Sequence, residues 1–251
     1  EIASKKRPDI HLIPYGTTAT GEFKITLGGV ANDCQEFDVA LFGKMYLSVP
    51  GVHEVLDGTA AVALVCQLLR DAGKNPLDYK DKIIQGLKSF TGGKRRSEII
   101  GKTTSDAGNS VIVIDDYAHH PTAIKTTLEG YRQFYKNRKI IVDFMSHTYS
   151  RTQSLLKEFA SSFASADVVI LHKIYASARE NIADFNVTGK TLFEETKNYS
   201  DNVHYFEEIL DAKDFVQQEL NKPLSPEYPD GYLFVTMGAG DNWKRGKAIL
   251  A

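Results

Sequence analysis

The 251-residue chain is 42% hydrophobic and 25% charged, which supplies a core and is too mixed for disorder. A net charge of −2 argues against a nucleic-acid footprint, and the short clusters Lys5-Lys6-Arg7 and Lys94-Arg95-Arg96 lack the aromatic interleaving that nucleic-acid surfaces carry. Two cysteines, Cys34 and Cys66, are too few for a disulfide scaffold and read as reduced, buried thiols of a cytosolic protein. No segment reads as long enough to span a bilayer, so no membrane partner is expected, and none reads as a signal peptide. The chain begins Glu1-Ile2-Ala3 and its first methionine is Met45, which suggests the C-terminal piece of a longer polypeptide.

In chain order, residues 9–14, 22–28, 36–42 and 44–49 read as strands, the last two hinged at Gly43. A helix follows from Val52 to Leu69, with Ala60, Ala61, Ala63, Leu64 and Leu68 expected on its inward side. Asn75-Pro76 starts a second helix running to about Phe90. Thr91-Gly92-Gly93 breaks the pattern and marks a domain boundary. From there strands at 110–115, 139–144, 167–171, 203–206 and 232–236 alternate with helices at 121–136, 151–164, 190–197, 208–220 and the C-terminus. This alternation predicts an α/β fold with a mainly parallel, Rossmann-like sheet covered by helices on both faces.

Three polar clusters fall where successive strands end and crossovers begin. Asp115-Asp116-Tyr117-Ala118-His119-His120-Pro121 follows the first strand, and Pro121 can open the next helix. His147-Thr148-Tyr149-Ser150-Arg151-Thr152 follows the second, with Thr148 or Ser150 as the cap. Arg151 near a helix start opposes the macrodipole, an argument that reverses if the site holds an anion. Tyr175-Ala176-Ser177-Ala178-Arg179-Glu180-Asn181 lies beyond the third strand and suits a small zwitterion, although a loop salt bridge accounts for it nearly as well. Ligands of open α/β sheets bind at this edge; a polar turn with an aspartate cap is the plainer alternative for the first cluster, and a surface arginine paired with a nearby acid for the second. Gly101-Lys102-Thr103 and Gly189-Lys190-Thr191 are not P-loops, because Arg96 and Asp184 stand where the first glycine is required. Gly238-Ala239-Gly240 has Trp243 in place of a third glycine and suggests close backbone packing rather than dinucleotide binding. Asp116, His119, His120 and His147 match no common zinc spacing, so no metal site is assigned.

Together with Thr236-Met237-Gly238-Ala239-Gly240-Asp241, Gly51-Val52-His53 and Lys94-Arg95-Arg96-Ser97-Glu98, these clusters resemble the Mur ligases along essentially the whole chain. The likeness is strongest to the branch that adds L-alanine to UDP-N-acetylmuramate, and the Asp115 run is also similar to the branch that recycles murein tripeptide. The resemblance implies that residues 1–95 end a central ATP-binding domain and that 96–251 form the C-terminal domain. The family's UDP-binding domain and P-loop have no counterpart in this sequence. It further implies ATP and Mg²⁺ as cofactors, with the metal ligands mainly outside this chain, and an amide-forming reaction through an acyl phosphate. Position by position, Arg96 corresponds to the arginine at the terminal phosphate, Asp116 to the ribose acceptor, and His53 and Asp57 to adenine contacts. Tyr117, His119, His147 and Arg151 correspond to the groups around the amino acid and the reacting carboxylate, with His119, Arg151 and Arg96 as the catalytic set. The sequence departs from the family at Glu54 and Asp57, where asparagines are usual, at Ser97 in place of Phe, and at Thr148 where some relatives carry Arg. An ionised carboxylate can accept from the adenine amino group but cannot donate to a ring nitrogen. A non-catalytic Rossmann-like module that captures a nucleotide or amino acid is the rival from another class.

Overall fold

A computed structural model describes residues 10–31 and 33–250. The basic cluster at Lys5, Lys6 and Arg7 and the first residue of the strand expected at 9–14 lie outside them. The chain divides into two compact units, one ending at Thr91 and the other starting at Gly92.

In the first unit, β1 (Tyr15–Gly16), β2 (Phe23–Ala31), β3 (Cys34–Val39) and β4 (Gly43–Leu47) form one sheet in that order. β1 runs parallel to β2 and the other pairs are antiparallel. The strand expected at 9–14 is not formed by its described residues; pairing is confined to the two residues after Pro14. Proline has no N–H for a ladder, and β1 sits at a sheet edge where short pairing suffices. α1 (Val52–Asp71) packs Val55, Val62, Ala63 and Cys66 onto Phe23, Ile25, Phe37, Val39, Met45 and Leu47. Both cysteines are free and buried, and burial, first among the causes, raises the Cys66 thiol pKa.

α1 departs from expectation in two respects. Ala61, Leu64 and Leu68 face outward, because this helix is apolar on two sides and periodicity cannot say which side the sheet will take. At 20 residues it is also long and apolar enough to cross a membrane by length and composition, contrary to the reading that no segment is. Its packed stripe accounts for only part of that character, since Leu64, Val65 and Leu68 are exposed. A 3₁₀ turn (Pro76–Tyr79), capped by Asn75 accepting from the Leu77 N–H at 3.2 Å, leads into α2 (Lys80–Lys88). The helix stops before Phe90, which is exposed.

The second unit opens with β5 (Glu98–Thr104), a strand absent from the expectation. It pairs antiparallel with β6 (Ser110–Asp116) and carries a register shift between Ile99 and Gly101 that breaks the alternation a strand search depends on. α3 (Pro121–Phe134), β7 (Lys139–Met145), α4 (Tyr149–Ser154), α5 (Leu156–Ser161), β8 (Val168–Leu171), α6 (Gly189–Thr196), β9 (Val203–Tyr205), α7 (Lys213–Leu220), β10 (Tyr232–Gly238) and α8 (Trp243–Leu250) follow. The single helix expected at 151–164 is two, interrupted at Leu155 with φ −123° and ψ 31°. The helix expected at 208–220 begins as a 3₁₀ turn (Ile209–Ala212). Gly101-Lys102-Thr103 lies within β5, and Gly189-Lys190-Thr191 starts α6 behind a reciprocal Thr188–Thr191 cap, so both have structural roles.

The strand order is β5-β6-β10-β7-β8-β9, parallel except for β5. Along β6, Ile112 and Ile114 join the core under α3, α5 and α6, while Val111 and Val113 join the core under α7. This period-two division covers both faces, as the α/β reading requires. β10 returns between β6 and β7, so the helix leaving β10 lies on the opposite face from those leaving its two neighbours. The carboxyl ends of these three strands form the switch point of the sheet.

Candidate functional site

At the end of β6, Asp115 and Asp116 are 4% and 7% exposed, and their carboxylates build the turn before β5. Asp115 accepts from Arg95 Nε at 2.8 Å and from the Thr236 hydroxyl at 2.8 Å. Asp116 accepts from the Ser97 N–H at 2.7 Å, the Ala118 N–H at 2.8 Å and the Tyr131 hydroxyl at 3.3 Å. Burial, and then the Asp116 charge, push the Tyr131 phenol pKa well up, so it remains a neutral donor. Arg95 also donates to the Gly238 carbonyl at 2.9 Å and lies over the Tyr117 ring at 5.1 Å. Arg95 and Ser97 both have left-handed backbones, φ 55° and 48°, which side chains rarely adopt. The carboxylates of Asp115, Asp116 and Glu98 hold this strained turn, and it carries the exposed Arg96 between its two fixed ends.

Beyond Asp116 the chain turns outward. The His119 ring Nδ1 lies 2.8 Å from the Tyr117 carbonyl, which can only accept, so Nδ1 carries the proton. Neutral His119 therefore keeps its lone pair on Nε2. Its ring meets Tyr117 edge-on at 4.9 Å. His120 caps α3 by accepting from the Thr122 N–H at 3.3 Å, and Pro121 takes the first helical position as expected.

At the end of β7, Arg151 donates to the His147 carbonyl at 2.9 Å and the His119 carbonyl at 3.4 Å, tying the first two loops together. The His147 pKa is lowered, by burial first and then by the Arg151 and His119 charges. The His147 ring lies 5.8 Å from that of Tyr175, beyond β8. Thr148 holds the N-cap position of α4 without a side-chain cap bond. Glu180 caps that helix from the third loop instead, accepting from the Tyr149 N–H at 3.1 Å and from the Ser150 N–H at 3.0 Å, and also from the Ser150 hydroxyl. Burial would raise the Glu180 pKa, but the Ser150, Tyr149 and Thr148 donors outweigh it and hold the carboxyl at about 2. The Glu180 bonds to α4 are thus complete above the ordinary glutamate range and are lost as pH falls toward about 2. Amide exchange at Tyr149 and Ser150 should stay slow down to that range and then accelerate, whereas Glu180→Gln should exchange faster at neutral pH. Equal protection in the two proteins would show that the cap is not what orders α4.

Tyr117, His119, His147 and Arg151 thus share one rim, with Tyr175 and Glu180 beside them. Asp116 lies beneath that rim, and Arg96 projects from the turn it holds. His53 and Asp57 belong to the first unit, on α1 at a spacing of four that gives them one helix face. His53 Nε2 lies 3.7 Å from Glu54, and its Nδ1 is buried without a hydrogen-bond partner. Gly51 before it has φ 116°, and a Cβ there would stand 2.4 Å from the His53 ring. At Gly238 a Cβ would meet the Met145 carbonyl at 2.4 Å, the close β10–β7 approach expected of this glycine run. Among the described residues no group of three His, Cys, Asp or Glu side chains could hold a metal ion. Sequence reasoning missed Arg95 as the strut of the rim and Glu180 as a cap. Arg95 reaches Asp115 across 20 positions of sequence and Glu180 reaches Ser150 across 30, where no local pattern exists.

A mainly parallel sheet with helices on both faces and three crossover loops gathered at its carboxyl edge defines a Rossmann-like α/β domain. A profile for the Mur ligase family, glutamate ligase domain, matches residues 95–240, and the chain belongs to that family. It is 43% identical over 252 residues to a UDP-N-acetylmuramate–L-alanine ligase of Treponema pallidum, covering 100% of this chain and 50% of the relative. It is 36% identical over 239 residues to the ligase of that name from Borreliella burgdorferi, covering 94% of this chain and 48% of the relative. The chain spans about half the length of the curated relatives it matches. Among solved structures, a UDP-N-acetylmuramate-alanine ligase from Thermotoga maritima superposes with a TM-score of 0.64 at 23% identity, over 90% of this chain and 45% of that one. A folylpolyglutamate synthase from Mycobacterium tuberculosis gives 0.65 at 18%, over 99% and 51%. These two likenesses concern the fold.

Proposed function

We propose that this chain, as part of a complete Mur ligase in the bacterial cytoplasm, serves the ATP-dependent joining of L-alanine to the carboxylate of UDP-N-acetylmuramate in peptidoglycan precursor synthesis. The observation that carries the reading is the convergence of Tyr117, His119, His147 and Arg151 on one rim, in a chain 43% identical throughout to a relative of that name. In this reading residues 1–95 end the ATP-binding domain and 96–251 form the amino-acid-binding domain.

The reaction asks for charge on the phosphates, an amine held in line with an activated carboxylate, and modest acid–base help. Arg96 meets the terminal phosphate of ATP, and Asp116 meets the ribose at the small exposed edge of a carboxylate that otherwise holds the Arg96 turn. His53 and Asp57 contact adenine from α1. Arg151 has five N–H donors, of which one nitrogen serves the two loop carbonyls, and the rest are available to a carboxylate. Tyr117 and His147 flank the alanine, and His119 Nε2 takes a proton from its ammonium group; the freed amine then attacks the acyl carbon, and the carbon–oxygen bond to phosphate breaks as phosphate leaves. The described residues offer no magnesium ligand set; the metal's ligands and the P-loop belong, in this reading, to the half of the relatives that this chain does not match.

The chain alone, given ATP, magnesium, UDP-N-acetylmuramate and alanine, should release no phosphate; robust turnover would overturn the division of the site between two halves. In the complete enzyme, Arg151→Lys keeps the charge and loses the planar fork, so KM for the amino acid should rise by about tenfold, equivalent to ~1.4 kcal/mol. An unchanged KM would remove Arg151 from carboxylate binding. Comparing free alanine with murein tripeptide as acceptor separates this function from the recycling reaction.

A further inference from the structure

Beneath the rim, four polar side chains are buried together. Asp143 on β7 and His172 just after β8 have fully buried side chains, and Asn242 and Arg245, around the start of α8, are buried as well. The His172 ring makes two hydrogen bonds. Its Nε2 lies 3.0 Å from Asp143 Oδ1, and its Nδ1 lies 3.0 Å from the Phe206 carbonyl, just after β9. A carboxylate and a carbonyl oxygen only accept, so both ring nitrogens carry protons and the ring is an imidazolium. Asn242 Nδ2 donates to the Asp143 carbonyl at 2.7 Å and to the Met237 carbonyl at 2.8 Å, which joins the end of β10 to β7. Arg245 donates to the Ile209 carbonyl; its charge bears on His172, and Asp211 acts on Arg245 in turn. Burial alone would lower the His172 pKa, but the Asp143 charge and the two hydrogen bonds outweigh it and raise the value. The ring therefore keeps both protons through the ordinary histidine range and gives one up only as pH rises above it.

We infer that Asp143 and His172 are positioning residues for the amino-acid side of the rim, a clamp that fixes the loop leaving β7 against the loop leaving β8. Their part in the reaction rests on the function proposed above. Asp143 stands shortly before His147 and His172 shortly before Tyr175, so the clamp sits at the root of both loops. Above it the Tyr175 N–H donates to the Ser146 carbonyl at 2.8 Å, the His147 and Tyr175 rings meet, and Glu180 caps α4. Each of these contacts needs the two strand ends at a fixed spacing. Asp115, Asp116 and Arg95 lie on the other side of β10 and are held by bonds of their own. Burying a carboxylate and an imidazolium costs several kcal/mol for each ion, and an apolar pair of similar volume often holds a core as well or better. Stability alone therefore gives no reason for the pair, whereas a rigid ring with two fixed donors sets the distance between three strand ends.

Nitrogen NMR of the chain labelled at histidine should show both His172 ring nitrogens protonated at neutral pH; a ring with a single proton would overturn the clamp. His172→Leu alone strands the Asp143 carboxylate and should lower Tm. The decisive variant is therefore Asp143→Leu/His172→Leu, which removes both charges and should keep the fold. In it the Tyr175 amide should exchange about tenfold faster than in the unaltered chain, or ~1.4 kcal/mol of lost protection, while the Ser97 amide beside Asp116 keeps its rate. Equal exchange at Tyr175 in the two chains would overturn the inference. So would equal acceleration at Ser97, because a general loss of stability moves both amides. Should the double variant not fold, His172→Gln is read in its place at the same two amides, since it keeps a donor for Asp143 and loses the arm to Phe206. In the complete enzyme the variant should raise KM for the amino acid by about tenfold and leave KM for ATP unchanged. An enzyme that forms the amide with an unchanged amino-acid KM would also overturn the inference. Accelerated exchange at Tyr175 in a protein whose complete, unaltered form makes no amide bond would sustain the clamp and sink the proposed reaction.

Discussion

His119→Ala in the complete enzyme is expected to lower turnover by roughly 10²–10⁴-fold, the usual span for a positioned proton acceptor, with little change in ATP affinity. The geometry behind the expectation is specific. The Tyr117 carbonyl fixes the proton on Nδ1, the Tyr117 ring supports the imidazole edge-on, and Arg151 holds the His119 carbonyl from the next loop. One nitrogen is thereby committed to the fold and the other is left for chemistry. Alanine removes both, whereas glutamine would place an amide near the Nε2 position without its basicity. Single-turnover rates for the two variants, measured across pH, separate proton transfer from positioning. If His119 accepts the proton, both variants are slow to a similar degree, whereas a glutamine variant near the wild-type rate would leave His119 a positioning role alone. An unchanged turnover would remove His119 from the mechanism.

The second large effect is on stability. Asp116→Ala leaves the buried Ser97 N–H and the part-buried Ala118 N–H without their acceptor, while the Tyr131 hydroxyl keeps the Ser97 hydroxyl at 3.1 Å. At roughly 1–3 kcal/mol for each stranded group, a loss of about 2 kcal/mol or more follows for the second unit. For a domain of this size that corresponds to a fall in Tm of about 4–8 °C. Asp116→Asn, which retains an oxygen, should fall less. Calorimetry of the chain alone measures this without any substrate, so the structural role separates from the proposed ribose contact. In the complete enzyme the same substitution should also raise KM for ATP, because Arg96 stands on the turn that Asp116 holds. A Tm unchanged in Asp116→Ala would mean that the strained backbone at Arg95 and Ser97 is held by other groups.

How much of this was legible in the sequence differs by element. Strands such as Val168–Leu171 announce themselves as short apolar runs, and Pro121 marks the start of α3, because both signals are local. β5 was illegible: Ile99 and Ile100 are adjacent apolar residues, Gly101 interrupts them, and the register shift removes any alternation. The rim was legible as three clusters at three strand ends, but not its internal wiring. Glu180 reaches α4 across 30 positions and Arg95 reaches Gly238 across 143, and a sequence holds no trace of either bond.

By itself the sequence determined the alternation of strands and helices, and with it a parallel sheet whose polar clusters share one edge. These follow from periodicity and handedness, which act over a few residues and one crossover. Only the tertiary structure decided that β10 lies between β6 and β7, bringing Gly238 to Arg95 and making the three strand ends a single rim. It alone decided which of two apolar stripes α1 turns to its sheet, leaving Leu64 and Leu68 outside. Strand order and helix phase depend on partners distant in sequence, and a pattern that satisfies two packings equally is resolved only when one of the partners is in place.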